Sequence, residues 1–243
     1  MKNSLRILTA VTTLVVGSYA LAGDESAKPA AEMAAVAKET AAVATNPNET
    51  KPVNVGAKAP TGTLDRADGT KADLATLFAE KPTILIFYRG GWCPFCTAHL
   101  AAVAAMNEDF TKAGYQIIGV SPELASRTSA TAEKHGLNFT LLGDPDAEVI
   151  KAYGLAFKLD EGTIEKYKGY GIDLEVSSGG RKHHILPVPA AYIIDREGTI
   201  RWAHWDADYK SRIDPTELRD VATKVAEESK RIEEVKAAES KGG

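Results

Sequence analysis

Hydrophobic residues follow two rhythms along this chain. Thr83-Ile84-Leu85-Ile86-Phe87-Tyr88, Gln116-Ile117-Ile118-Gly119-Val120-Ser121 and Ala191-Tyr192-Ile193-Ile194 are continuous apolar, β-branched runs. That is the pattern of strands buried on both faces in the middle of a sheet. After the first run, Leu100, Val103, Met106 and Phe110 recur at helical spacing, which predicts a helix from Cys93 to about Lys112, ended by Gly114. A second helix is expected from about Pro122 to His135, stopped by Gly136, and a short third one up to Tyr153 behind Asp144-Pro145-Asp146. Thr199 to Trp205 reads as a strand returning as a hairpin through the Arg196-Glu197-Gly198 turn. Asp214 caps a last helix with Pro215 at its first position and Glu217 at its third, followed by Leu218, Val221, Ala222 and Val225 on one face. The order β-α-β-α, then β-β-α, is the layout of a central mixed sheet with helices on both faces, an α/β fold. The segment from about Leu155 to Leu186 is polar and Gly-containing with no strong periodicity; it reads as an inserted loop region near the chemistry described below.

The pattern changes at both ends. Lys2 and Arg6 precede an apolar or small run from Ile7 to Ala20, and Ala20-Leu21-Ala22 is an A-x-A cleavage site. Residues 1–22 therefore read as a signal peptide cleaved after Ala22, and the mature chain is expected to be exported, to a periplasm. The run is interrupted by Thr9, Thr12, Thr13, Gly17 and Ser18 and is shorter than the roughly 20 apolar residues of a spanning helix. No cysteine follows it to carry a lipid, so stable membrane insertion of the mature chain is not expected. Residues 23–51 form an Ala-rich arm or linker in which Met33, Val36 and Val43 make only a thin apolar stripe. Residues 52–228 carry the domain, and 229–243 form a charged, solvated tail.

Composition narrows the function. With 44% hydrophobic and 26% charged residues in 243, the chain can build a core of ordinary size. A net charge of −4 gives no electrostatic reason to bind nucleic acid, and the three Trp and eight Tyr are too scattered to form a base-stacking platform. No Gly-rich phosphate loop, serine nucleophile elbow or zinc-protease helix is present.

Two cysteines occur in the whole chain, Cys93 and Cys96. A single CxxC lacks the four ligands of a structural zinc site, and the adjacent His183 and His184 point in different directions, so no metal is expected. The loop that the pair would close is too short for a stabilising crosslink. What remains is redox chemistry. The pair sits where a buried strand gives way to a helix, and the unpaired N–H groups and dipole at that end favour a thiolate. Only the thiolate is an effective nucleophile toward a disulfide or a peroxide. Its partner one helical turn away is within disulfide reach. Trp92 and Phe95 keep the site partly dry, and Pro94 rigidifies the first turn.

The Trp92-Cys93-Pro94-Phe95-Cys96 run after a buried strand, with Val188-Pro189-Ala190 before a later one, resembles the thioredoxin superfamily. That likeness implies a thioredoxin-like fold and a cis Pro189 packed on the cysteines. More narrowly, four stretches resemble the alkyl hydroperoxide reductase/thiol-specific antioxidant, or peroxiredoxin-like, branch: Phe87 to Cys96, Leu142 to Asp146, Tyr153-Gly154 and Tyr192 to Gly198. Asp206-Ala207-Asp208-Tyr209-Lys210-Ser211-Arg212 also fits it, so the likeness covers roughly residues 52–225. It implies a thiol peroxidase that needs no cofactor, with a hydroperoxide as substrate and a thioredoxin-like electron donor as partner.

The chain departs from that branch at the site itself. Laid on the branch's Pro-x-x-x-Thr/Ser-x-x-Cys motif, Cys96 takes the place of the Cys, Cys93 of the Thr and Arg89 of the Pro. The usual Arg ahead of the later strand falls on Pro189. Arg89 is then a candidate for the positive charge. The alignment implies Cys96 as the attacking cysteine, whereas the helix-terminus argument favours Cys93. In the peroxidase scheme one thiolate becomes sulfenic acid and the other cysteine condenses with it to a Cys93–Cys96 disulfide, which the donor reduces. In the alternative scheme the pair exchanges directly with protein disulfides, as a periplasmic thioredoxin-like oxidoreductase. Among the remaining candidates, His99 is expected to be a surface or lightly buried helix residue, His135 a helix end and His204 an interface or core residue. Asp144 and Asp146 are expected to cap a helix.

Overall fold

The computed structural model describes residues 43–241; the expected signal peptide and the arm up to residue 42 lie outside them. In chain order the strands are β1 (Thr63–Asp65), β2 (Lys71–Asp73), β3 (Thr83–Phe87), β4 (Gln116–Ser121), β5 (Thr140–Gly143), β6 (Ala156–Lys158), β7 (Ile185–Pro187), β8 (Ala190–Ile194) and β9 (Ile200–Trp205). The helices are α1 (Leu74–Glu80), α2 (Pro94–Ala105), α3 (Asn107–Lys112), α4 (Ala125–His135), α5 (Glu148–Ala152), α6 (Glu161–Gly169), α7 (Leu174–Ser177) and α8 (Pro215–Lys241).

The three apolar runs become the centre of a seven-stranded sheet of order β2-β1-β5-β4-β3-β8-β9. Strand β3 lies parallel to β4, Phe87 opposite Val120, and antiparallel to β8, Phe87 opposite Ala190. The sheet is therefore mixed, and this is the thioredoxin-like α/β fold expected from the sequence. Alternation along β3 supplies both cores. Ile84 and Ile86, with the following Tyr88, pack with Leu100, Val103, Phe110, Leu218 and both cysteines beneath α2, α3 and α8. Leu85 and Phe87 pack on the other face with Phe78, Ile150, Tyr153 and Tyr192.

Several boundaries differ from the sequence expectation. The helix expected over 93–112 is two, because Met106 leaves helical geometry (φ −105°, ψ 8°) and its N–H donates back to the Val103 carbonyl at 3.0 Å. Helix α4 begins at Ala125 and not near Pro122, since the Leu124 N–H donates to the Ser177 carbonyl at 2.9 Å. Residues 155–186 are not a featureless loop. Strands β6 and β7 form an antiparallel hairpin stem that closes over α6 and α7. The pieces are too short for periodicity to register, and so are β1, β2 and β5.

The described end of the arm is fastened down. The Ala44 N–H donates to the Ala156 carbonyl at 3.3 Å, the Lys158 N–H to the Ala44 carbonyl at 2.8 Å, and the Lys51 N–H to the Gly154 carbonyl at 3.1 Å. The contact needs a glycine: Gly154 has φ +66°, and a Cβ there would stand 2.0 Å from the Lys51 carbonyl oxygen. At the other end α8 continues through the charged tail as helix, with Ile232 and Val235 exposed. Among the described residues no helix is long and apolar enough to cross a membrane.

Candidate active site

Strand β3 delivers the chain to the site, and the next five residues set it. The Tyr88 N–H extends the parallel pairing to the Val120 carbonyl at 3.0 Å. The turn at Gly90 and Gly91 then brings the backbone close to α4: a Cβ on Gly91 would stand 1.9 Å from Thr131 Oγ1. The Gly91 N–H donates to Glu123 Oε2 at 2.7 Å. Cys93 is the N-cap of α2, its own N–H donating to the Gly90 carbonyl at 3.1 Å, and Pro94 holds the first helical position. The Cys93 carbonyl accepts from the N–H groups of Cys96 and Thr97 at 3.1 and 3.0 Å, so both sulfurs belong to the first turn. Both cysteines are free thiols, each about 1% exposed.

Both sulfurs share the helix N-terminus, so the dipole does not separate them; their neighbours do. Arg212 Nη2 donates to Cys96 Sγ at 3.2 Å. Burial raises the Cys96 pKa, but the Cys93 thiol donating to it, the Arg212 charge and the Arg89 backbone N–H outweigh burial and bring it down to about 6. Cys93 moves the opposite way: its hydrogen bond to Cys96 keeps its proton on, and burial adds to that. Cys96 is thus the thiolate and Cys93 the thiol at neutral pH.

Arg89, the candidate for the positive charge, lies among aromatic rings beside the pair. Its guanidinium is buried, at 3% exposure, and lies over the ring of Tyr209 at 4.2 Å, near Trp92 at 5.4 Å and near Tyr167 at 5.6 Å. Its Nη2 donates to the Tyr167 hydroxyl. Its main chain serves Cys96, while its charge acts on Cys93. Trp92 packs on Tyr167 with ring centroids 5.4 Å apart. Phe95, 42% exposed, meets Tyr209 edge-on. The inserted segment therefore does border the site, through Tyr167 of α6.

Pro189 is buried and lines the same small cavity as Cys96, but the Val188–Pro189 peptide bond is not cis; none is among the described residues. These two residues merely link β7 to β8 as the chain continues onward, the Val188 N–H donating to the Leu155 carbonyl at 2.9 Å. His99 is not a surface residue. It is 9% exposed on the inner face of α2, and burial and the Arg212 charge push its pKa down to about 4. Asp144 caps as expected, accepting from the N–H groups of Glu148 at 3.0 Å and Ile150 at 2.9 Å, with burial raising its pKa to about 6. Asp146 does not cap; it pairs with Arg181 at 2.5 Å. His135 ends α4 before the left-handed Gly136, and His204 stacks on Trp202. No group of three or more His, Cys, Asp or Glu able to hold a metal occurs among the described residues.

The residue that sequence reasoning missed is Arg212. It closes the stretch from Asp206 to Arg212 that resembles the family, and the resemblance implies no role for it. The available signal was its position two residues before the Asp214-Pro215 helix start, which fixes it at the root of α8; Asp214 accepts from the Thr216 N–H at 2.8 Å.

The AhpC/TSA family model matches residues 55–203. The chain is 35% identical over 121 residues to chloroplastic peroxiredoxin Q of Populus jackii, covering 50% of this chain and 56% of that one. It is 36% identical over 121 residues to chloroplastic peroxiredoxin Q of Triticum aestivum, covering 50% and 55%. The match thus spans little more than half the length of these relatives. Among solved structures, peroxidoxin BcpB of Mycobacterium tuberculosis superposes with a TM-score of 0.55 at 17% identity, over 72% of this chain and 97% of that one. Reduced Prx3 of Vibrio vulnificus gives 0.57 at 20% identity, over 70% and 98%. These two likenesses concern the fold alone.

Proposed function

Because the chain belongs to the AhpC/TSA family, we propose that it is a thiol peroxidase in which Cys96 attacks a hydroperoxide and Cys93 resolves the product. The observation that carries this reading is the Arg212 guanidinium 3.2 Å from Cys96 Sγ. It supplies, from the far end of the domain, the positive charge that the family pattern would place at Pro189. The Cys96 thiolate attacks one peroxide oxygen, the O–O bond breaks, and the other oxygen leaves as alkoxide or hydroxide and takes up a proton. Sulfur is oxidised to sulfenic acid and the peroxide is reduced. Cys93, one turn away and still protonated, then forms the S–S bond, and water departs with the sulfenic oxygen. A thioredoxin-like dithiol donor reduces the disulfide by exchange. Export to an oxidising compartment, as the first 22 residues suggest, requires that donor to be supplied there.

Direct exchange with protein disulfides is the competing function for a CxxC pair. Both cysteines are about 1% exposed, so exchange with any protein, the donor included, requires the site to open. A small peroxide needs only the cavity that Cys96 lines. The deciding experiment gives the purified mature protein either hydrogen peroxide with a dithiol donor or insulin. Peroxide consumption without insulin reduction is the expected outcome. Insulin reduction with every hydroperoxide left untouched would overturn the peroxidase reading.

A further inference from the structure

A small cavity lies against Cys96 on the side of β8 and β9. Its volume is about 10 Å³, room for the centre of about one water-sized molecule. Cys96, His99, His204 and Arg212 provide its chemistry, and Ile86 and Ile213 are among its apolar walls. His99 is more than nine-tenths buried, and its Nε2 has no hydrogen-bond partner. His204 Nε2, also from a lining residue, is likewise buried without one. A buried polar atom left unpaired costs about 1–3 kcal/mol, so two on one cavity call for an explanation. Of the lining residues, His204 and Arg212 are only partly buried.

These groups match one kind of ligand. A neutral imidazole nitrogen accepts or donates one hydrogen bond according to its tautomer, and a guanidinium donates. Hydrogen peroxide offers two O–H donors and lone pairs on both oxygens in a molecule little larger than water. An alkyl or cumyl group has no room beside Ile86 and Ile213, and Cys96 is too buried to be met from elsewhere. We propose that this cavity is the peroxide pocket, that His99 and His204 hold hydrogen peroxide against Cys96, and that its size excludes bulky organic hydroperoxides. This selectivity rests on the peroxidase reading above. The step balances as Cys96 thiolate plus hydrogen peroxide plus one proton giving Cys96 sulfenic acid and water. The proton is the one that Cys96 released on ionising.

The test is single-turnover oxidation of the reduced wild-type protein by hydrogen peroxide, tert-butyl hydroperoxide and cumene hydroperoxide. The expected second-order rate constants favour hydrogen peroxide over cumene hydroperoxide by about 100-fold. In His204→Ala, with unchanged circular dichroism, that preference narrows by about tenfold through a faster cumene reaction. His99→Asn slows hydrogen peroxide by about tenfold while the pH profile of Cys96 alkylation stays where it was, which separates substrate holding from an effect on the thiolate. Rates with hydrogen and cumene hydroperoxides within threefold of each other would overturn the pocket and leave the peroxidase standing. Oxidation by none of the three would overturn both.

Discussion

At the scale of single residues, two arginines attend the cysteine pair. Arg212 touches the Cys96 sulfur, while Arg89 is held among the rings of Trp92, Tyr167 and Tyr209. Because Cys96 ionises near pH 6, its reactivity should be full at neutral pH and fall as the pH drops through 6, where the sulfur takes up its proton. Removing the guanidinium removes one of the stabilising charges, so Arg212→Gln should shift the midpoint of Cys96 alkylation by iodoacetamide upward by about 1–3 pH units. At pH 6 the variant should then react more slowly than wild type, and the gap should close as the pH rises. An unmoved midpoint would show that the thiolate owes nothing to Arg212.

At the scale of elements, the decisive feature is the junction between β3 and α2. The sequence makes most of it readable: the apolar run from Thr83 to Tyr88, the glycines at 90 and 91 and the proline after Cys93 each state what the backbone does there. Positions 90 and 91 are glycine for different reasons. Gly90 has φ +150°, while Gly91 leaves room for Thr131 of α4. Gly91→Ala should therefore force the strand–helix turn away from α4. An overpacking cost of about 1–3 kcal/mol is expected, read as a lower midpoint in urea denaturation with an unchanged slope. What the sequence hid at this scale were the short pieces. Strands β1, β2, β6 and β7 have three residues each, less than two periods of alternation, and they are strands because neighbouring backbone pairs with them.

At the scale of the whole molecule, the site is assembled from parts distant in sequence. The cysteines come from the β3–α2 junction, Tyr167 from the segment inserted before β7, and Arg212 from the link between β9 and α8. The central sheet and the cysteine pair are legible because they are local patterns. The arginine that adds to the Cys93 hydrogen bond in holding Cys96 as the thiolate is not, because Cys96 and Arg212 are 116 positions apart and meet only when Leu218 and Ala222 seat α8 on the α2 face. For the same reason sequence spacing left open which cysteine attacks, and the closed fold points to Cys96. One measurement tests that assignment most directly. The variants Cys93→Ser and Cys96→Ser are each given one equivalent of hydrogen peroxide in the presence of dimedone, and the adduct is located by mass spectrometry. The account predicts a sulfenic acid adduct on Cys96 in the Cys93→Ser protein and no adduct in the Cys96→Ser protein; an adduct on Cys93, with Cys96 unmodified, would contradict it.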